Sequence, residues 1–339
     1  MTENSEDKNM GKINQSIAEL VGRTPLLKLN GYEKKFGVKS NIIGKLEYFN
    51  PNQSVKDRIA LAMIEDAEAK GILKPGDTVV ETTSGNTGIG LAAIAASKGY
   101  SFRVYIQDQV SEERFKVIQA FGGKTIKLTE EPAIAKTLAE TNGDFVAAIK
   151  SLKEEVLSKE KNTVFVDQCS NPANPEVHKR TTGPEIWEDT DGKVDILVAC
   201  AGTGGTISGT GAYLKEKNPN IKVVGVQPGP KSLPSPEVPT PENEITGVHP
   251  FEGVPESLIP PTLDRHRYDE YIAVEALDAY QAARDVARTD GILVGESSGA
   301  ALFAARQLAE REENQGKNIV VIFPDTGLRY LSTGLFDQQ

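Results

Sequence analysis

Seven apolar, β-branched runs punctuate this chain, at 78–81, 102–107, 125–128, 163–167, 195–200, 222–226 and 318–323. Between them, residues 55–70, 86–98, 112–121, 145–158, 206–217, 276–288 and 298–313 place apolar side chains three and four apart, the spacing of one helix face. Strands separated by helices pair in parallel, because a parallel neighbour is reached only by a crossover, and the crossovers then cover both faces of the sheet. The expected fold is therefore α/β, with parallel-rich twisted sheets flanked by helices. In such sheets ligands collect at the carboxyl ends of the strands.

At 339 residues the chain has length for two domains, or two lobes sharing an interface. Residues 1–12 are polar and expected to be a disordered tail; 228–261, rich in Pro and Gly, reads as a long irregular excursion. A formal net charge of -10 argues against nucleic acid or an anionic membrane as partner. No signal-peptide core opens the sequence and no stretch has eighteen consecutive apolar residues, so a cytoplasmic location is expected. Cys169 and Cys200 are too few for a disulfide framework, and histidines 178, 249 and 266 are too scattered for a metal cluster, so no metal is expected.

Lys56 lies in Asn50-Pro51-Asn52-Gln53-Ser54-Val55-Lys56-Asp57-Arg58-Ile59-Ala60. A lysine at a helix start is ordinarily a solvated charge. Here Pro51 and Ser54 signal a turn and an N-cap, and residues 59–64 are strongly apolar, so the helix start is expected to be buried between lobes. Desolvation makes a lysine lose its proton more easily and become nucleophilic. Two glycine-rich loops join it. Thr82 to Gly88 follows an apolar run and opens a helix, as does Gly202-Thr203-Gly204-Gly205-Thr206; backbone N–H groups there can hold an anion. Gly88, Gly90 and Ala93, with Asp108 further on, also satisfy a dinucleotide-binding pattern, but Gly85 and Asn86 occupy the turn and Gly88 to Ala93 read as helix, which disfavours a nicotinamide cofactor. Gly295 to Ala301 sets small residues and hydroxyls at another helix start, while Gly122-Gly123-Lys124-Thr125 lacks the earlier glycine of a P-loop. A lysine able to form an imine, beside loops suited to one phosphate, points to pyridoxal 5'-phosphate.

Ser54 to Arg58, Thr83 to Gly88, Ser170 to Pro175 with Thr181 to Trp187, Gly202 to Thr206 and Ser297 to Ala301 together resemble the cysteine synthase (O-acetylserine sulfhydrylase) family, much of which the cystathionine β-synthase core shares. The resemblance runs from Ile17 to Thr333. It implies the two-lobed tryptophan-synthase-β-like architecture (pyridoxal-phosphate fold type II): a smaller mobile domain over 50–160, and a larger phosphate-binding domain from 13–49 plus 161–334. A homodimer is usual, with serine acetyltransferase a candidate partner. By the same resemblance Lys56 forms the internal aldimine, Asn86 bonds the cofactor ring oxygen, Gly202, Thr203, Gly204, Gly205 and Thr206 cradle its phosphate, and Ser297 faces the pyridine nitrogen. Thr83, Ser84, Gly85, Thr87 and Gln168 grip the substrate carboxylate.

The implied reaction is β-replacement, in which O-acetyl-L-serine loses acetate through an aminoacrylate and sulfide adds to give L-cysteine. The alternatives are a cystathionine β-synthase that takes homocysteine, with O-acetylserine or serine as donor, and a cysteine desulfhydrase that releases hydrogen sulfide. The family's segment before Ile-Pro reads much like Ile-Gly-Ala-Gly-Phe; here residues 246–255 differ and carry His249, which suggests a changed mouth able to admit a larger thiol.

Overall fold

The computed structural model describes residues 13–83, 85–106, 112–141, 144–235 and 243–337. The expected 1–12 tail and the substrate-loop residue Ser84 lie outside the described residues. Ten strands are present among them: β1 (Leu26–Lys28), β2 (Asn41–Leu46), β3 (Thr78–Thr82), β4 (Ser101–Ile106), β5 (Lys124–Lys127), β6 (Thr163–Phe165), β7 (Ile196–Cys200), β8 (Lys222–Pro228), β9 (Glu270–Val274) and β10 (Asn318–Phe323). They form a six-stranded sheet, β1-β2-β10-β7-β8-β9, and a four-stranded sheet, β5-β4-β3-β6. β1 is antiparallel to β2; every other pairing is parallel.

Each sheet is covered on both faces, as parallel strands require. Along β10, Ile319, Val321 and Phe323 enter one core with helices Ala276–Asp290 and Glu296–Ala309, while Val320 and Ile322 point into the core under helix Gly205–Lys217. In the smaller sheet Val79 packs with helices Lys56–Ala69 and Asn86–Lys98, and Val80 packs on the other side with Ile134 and Leu152.

All seven expected runs fall on strands, with ends shifted by a residue or two. β1, β2 and β9 had no expected counterpart. Ser54 is not the N-cap of helix Lys56–Ala69, which is capped at Val55, although Ser54 Oγ does accept from Lys56 N at 3.2 Å. β6 carries the four-stranded sheet beyond residue 160, where the smaller domain was expected to end.

Candidate active site

β2, β10 and β7 lie side by side and run parallel, so the segments leaving their carboxyl ends meet over one edge of the sheet. Those segments are 47–56 with Lys56, Pro324-Asp325, and Ala201 to Gly204. Across from them, the loop after β3 brings Thr83, Gly85, Asn86 and Thr87, and the loop after β6 brings Gln168 and Cys169.

Lys56 begins its helix at the seam of the two sheets. Burial drives its pKa below the usual lysine range, with Asp325 and then Cys169 the charges that oppose this. The next residues anchor it. Arg58, 1% exposed, donates to Glu47 (2.7 and 2.9 Å) and to Glu185 (two bonds of 2.7 Å). Lys45 also donates to Glu185, at 2.8 Å, so two cations meet two carboxylates and the buried cluster is electrically balanced. The cations hold Glu185 down to about 2 against the effect of its own burial. This cluster ties the helix of the four-stranded sheet to β2 and to helix Gly183–Asp189.

Gly204 takes a φ of 81°, left-handed backbone open to glycine, and turns the chain into helix Gly205–Lys217. At Gly205 an added Cβ would stand 1.9 Å from Asn174 Oδ1, and at Gly202 one would stand 2.5 Å from the Gly247 carbonyl, so neither position has room for a side chain. Asn174 Nδ2 donates to Thr203 Oγ1 (3.0 Å) and to the Gln168 carbonyl (2.7 Å). Thr262 Oγ1 donates to the Thr203 carbonyl at 2.6 Å. Thr206 Oγ1 meets His178 Nε2 at 3.3 Å, with His178 Nδ1 2.9 Å from Thr182 Oγ1. Burial, then the Arg58 charge, pushes His178 down to about 3, so this ring is neutral.

In the opposite loop Thr87 Oγ1 donates to Gln168 Oε1 at 2.6 Å, and Gln168 N donates to Glu81 Oε2 at 2.9 Å. Thr83 N bonds the Tyr105 carbonyl at 3.2 Å and Gly85 N bonds Thr83 Oγ1 at 3.3 Å. Asn86 Nδ2 donates to Asp325 Oδ2 at 2.7 Å. Ser297, 8% exposed, lies in the first turn of helix Glu296–Ala309, its carbonyl 3.1 Å from Cys200 Sγ. Asn86 is thus joined to Asp325, a charge that acts on Lys56, and Thr87 is joined through Gln168 and Asn174 to Thr203. His249 is exposed as a residue, yet burial by the surrounding protein and then the Lys56 charge lower its pKa. His249 N donates to the Ala201 carbonyl at 2.9 Å, which seats it beside the glycine loop.

Sequence reasoning missed Asp325 and Arg329, which contact Asn86, and Asn174 and His178, which brace the glycine loop. Asp-Thr-Gly at the carboxyl end of an apolar run was the available signal for Asp325. Among the described residues no His, Cys, Asp and Glu group suits a metal, and no helix is long and apolar enough to cross a membrane.

The cradle suits a phosphorylated aldehyde: glycines where a Cβ would clash, a helix N-terminus, and a lysine whose burial favours the neutral amine. Asp325 Oδ1, Asn52 Nδ2 and Asp57 Oδ1, polar atoms on or beside the same segments, are buried and have no hydrogen-bond partner among the described residues.

Residues 17–325 match the family model described as pyridoxal-phosphate dependent enzyme, and the chain belongs to that family. Its cofactor is pyridoxal phosphate, and its chemistry is of the β-replacement type. The chain is 42% identical to cysteine synthase A of Escherichia coli over 96% of its own length and 97% of that protein's. It is 43% identical to cystathionine beta-synthase of Apis mellifera over 95% of its length, spanning 61% of that longer protein. A crystal structure of the cysteine synthase of Entamoeba histolytica superposes with a TM-score of 0.82 at 37% identity, covering 100% of this chain and 94% of that one. The two-lobed fold expected from the motifs is the fold of these relatives.

Proposed function

We propose that this protein forms L-cysteine from O-acetyl-L-serine and sulfide. The observation that carries the reading is the Lys56 amine, whose pKa burial lowers against the opposing charge of Asp325, the same carboxylate that holds Asn86. Lys56, Asn86, Gly202 to Thr206 and Ser297 would hold the cofactor. When bound, the cofactor supplies an electron sink that stabilises negative charge at the substrate α-carbon.

The chain's own residues do the rest. Lys56, whose burial favours the neutral amine, takes the α-proton and later returns it to the same carbon. Thr83, Gly85 and Thr87, with Gln168, offer hydroxyl, backbone and amide donors to the substrate carboxylate; Ser84 belongs to the same loop. Acetate leaves the β-carbon and the sulfur of sulfide takes its place. Ser297 would offer the ring nitrogen a neutral hydroxyl, which, unlike a carboxylate, would not hold that nitrogen protonated and would so favour elimination over amino transfer. The loops from both sheets close over the carboxylate and exclude water.

A second reading takes homocysteine as acceptor and makes cystathionine. The observation favouring it is the loop 246–255, which departs from the family's pattern and places the exposed His249 beside the glycine loop. Desulfhydrase activity is the third outcome of the same assay. The reading carries with it a homodimer, a cytoplasmic location and serine acetyltransferase as candidate partner.

Absorbance of the purified holoenzyme from about 300 to 550 nm, before and after O-acetylserine and then sulfide or homocysteine, tests all three. Recovery of the starting band by sulfide, with cysteine as product, is expected. Recovery by homocysteine alone, or decay to pyruvate and ammonia without a thiol, would overturn the assignment.

A further inference from the structure

Asn86 is held from both ends by oppositely charged side chains of one short segment. Its Nδ2 donates to Asp325 Oδ2 at 2.7 Å, while Arg329 Nη1 donates to its Oδ1. Arg329 Nη2 reaches on to the Asn52 carbonyl, four residues before Lys56. Tyr330 donates its hydroxyl to the same Asp325 Oδ2 at 2.7 Å, so the carboxylate is itself braced, and Asp325 is 0% exposed. Gly295 makes room for it: an added Cβ there would stand 2.1 Å from Asp325 Oδ1.

An asparagine amide is nearly symmetrical in shape, and its two ends trade places by rotation about one bond. Here rotation would set the amide N–H donors against a guanidinium and the carbonyl oxygen against a carboxylate, two repulsive contacts in place of two charge-assisted hydrogen bonds. The pair therefore permits one orientation. In that orientation Nδ2 has one hydrogen on Asp325 and a second hydrogen free.

We propose that Asp325 and Arg329 are positioning residues that fix the Asn86 amide so that its free N–H is presented to the cofactor ring oxygen. The inference rests on the reading of Asn86 as a cofactor contact. The same clasp couples three separate segments, since Arg329 also fixes the turn leading to Lys56. Neither charged residue needs to touch the substrate.

A double-mutant cycle tests it. Arg329→Met and Asn86→Ala are made singly and together, with Arg329→Lys and Asp325→Asn as milder variants, and each apoprotein is titrated with pyridoxal phosphate. The readouts are the dissociation constant and the ratio of the near-ultraviolet to the visible band of the bound cofactor. Circular dichroism melting of each apoprotein checks folding. Loss of one oriented neutral hydrogen bond weakens binding about fivefold, so Arg329→Met and Asn86→Ala should each do so and shift the band ratio the same way. In the Asn86→Ala background Arg329→Met should cost clearly less than it does alone, because the amide it orients is gone and only its bond to the Asn52 carbonyl is left to lose. Arg329→Lys, which keeps the charge but not the fork, should fall between wild type and Arg329→Met.

Equal effects of Arg329→Met with and without Asn86 would overturn the proposal, as would an unchanged band ratio in Arg329→Met. If Arg329→Met fails to fold, the same comparison made with Asp325→Asn decides. Should Asn86→Ala itself leave affinity and spectrum unchanged, the cofactor reading of Asn86 fails, an outcome distinct from loss of the clasp.

Discussion

The Thr87 hydroxyl donates to Gln168 Oε1 at 2.6 Å and so joins the loop after β3 to the loop after β6. The Gln168 carbonyl in turn accepts from Asn174 Nδ2, which also donates to Thr203 Oγ1. A short run of hydrogen bonds thus links the proposed carboxylate grip to the proposed phosphate cradle.

Thr87→Val keeps the shape of the side chain and removes that donor, leaving Gln168 Oε1 free to turn. The KM for O-acetylserine should rise about tenfold with a smaller change in kcat, since the loss falls on substrate binding. Steady-state kinetics with the thiol saturating gives the answer; a kcat loss at constant KM would place Thr87 elsewhere in the mechanism.

Lys56→Ala should remove covalent attachment of the cofactor and lower turnover at least about a thousandfold, the scale of a lost general base. Borohydride reduction followed by peptide mass analysis checks it. The wild-type peptide around Lys56 should gain the reduced cofactor and the variant should gain nothing. Cofactor mass on another lysine would end the assignment.

Gly205→Ala drives a methyl group to 1.9 Å from Asn174 Oδ1, at the point where Asn174 braces Thr203. The apoprotein should lose about 1–3 kcal/mol of stability, as overpacking generally does. Cofactor affinity should fall further than stability predicts, because the loop itself is displaced. Urea unfolding and cofactor titration measured together separate the two effects.

Glu81 is 1% exposed, and burial raises its carboxyl from the usual 4.5 to about 8, with backbone N–H donors from Gln168 and Thr82 opposing the rise. The folded state then binds a proton that the unfolded state has released between those two values. This contribution to stability is complete below about pH 4.5 and is lost as pH climbs through about 8. Unfolding midpoints at several pH values, compared between wild type and Glu81→Gln, should show a shallower decline in the variant. Parallel curves would mean that Glu81 is ionised throughout.

Much of this architecture is legible before any coordinate is seen. The central strands β7, β8 and β10 are continuous apolar runs because both faces are covered. β2 is not, because it carries Gly44 and Lys45, and Lys45 is buried on the strength of Glu185, 140 residues away. β1 has three residues, too few to show a period, and β9 alternates buried with more exposed positions at a sheet edge. Lys56, Asn86 and the glycine loops announce themselves because turns, caps and anion cradles demand particular small or hydroxylated residues in sequence. Asp325 and Arg329 do not, since their meaning comes from Asn86, which lies 239 and 243 residues earlier.

Arg58 sits two residues beyond Lys56, and its carboxylate partners belong to the other sheet's side of the molecule. Separating those charges would strand buried ions, a loss of about 3–5 kcal/mol. The anchor therefore pins the first turn of the lysine's own helix, which packs on the four-stranded sheet, to β2 of the six-stranded one.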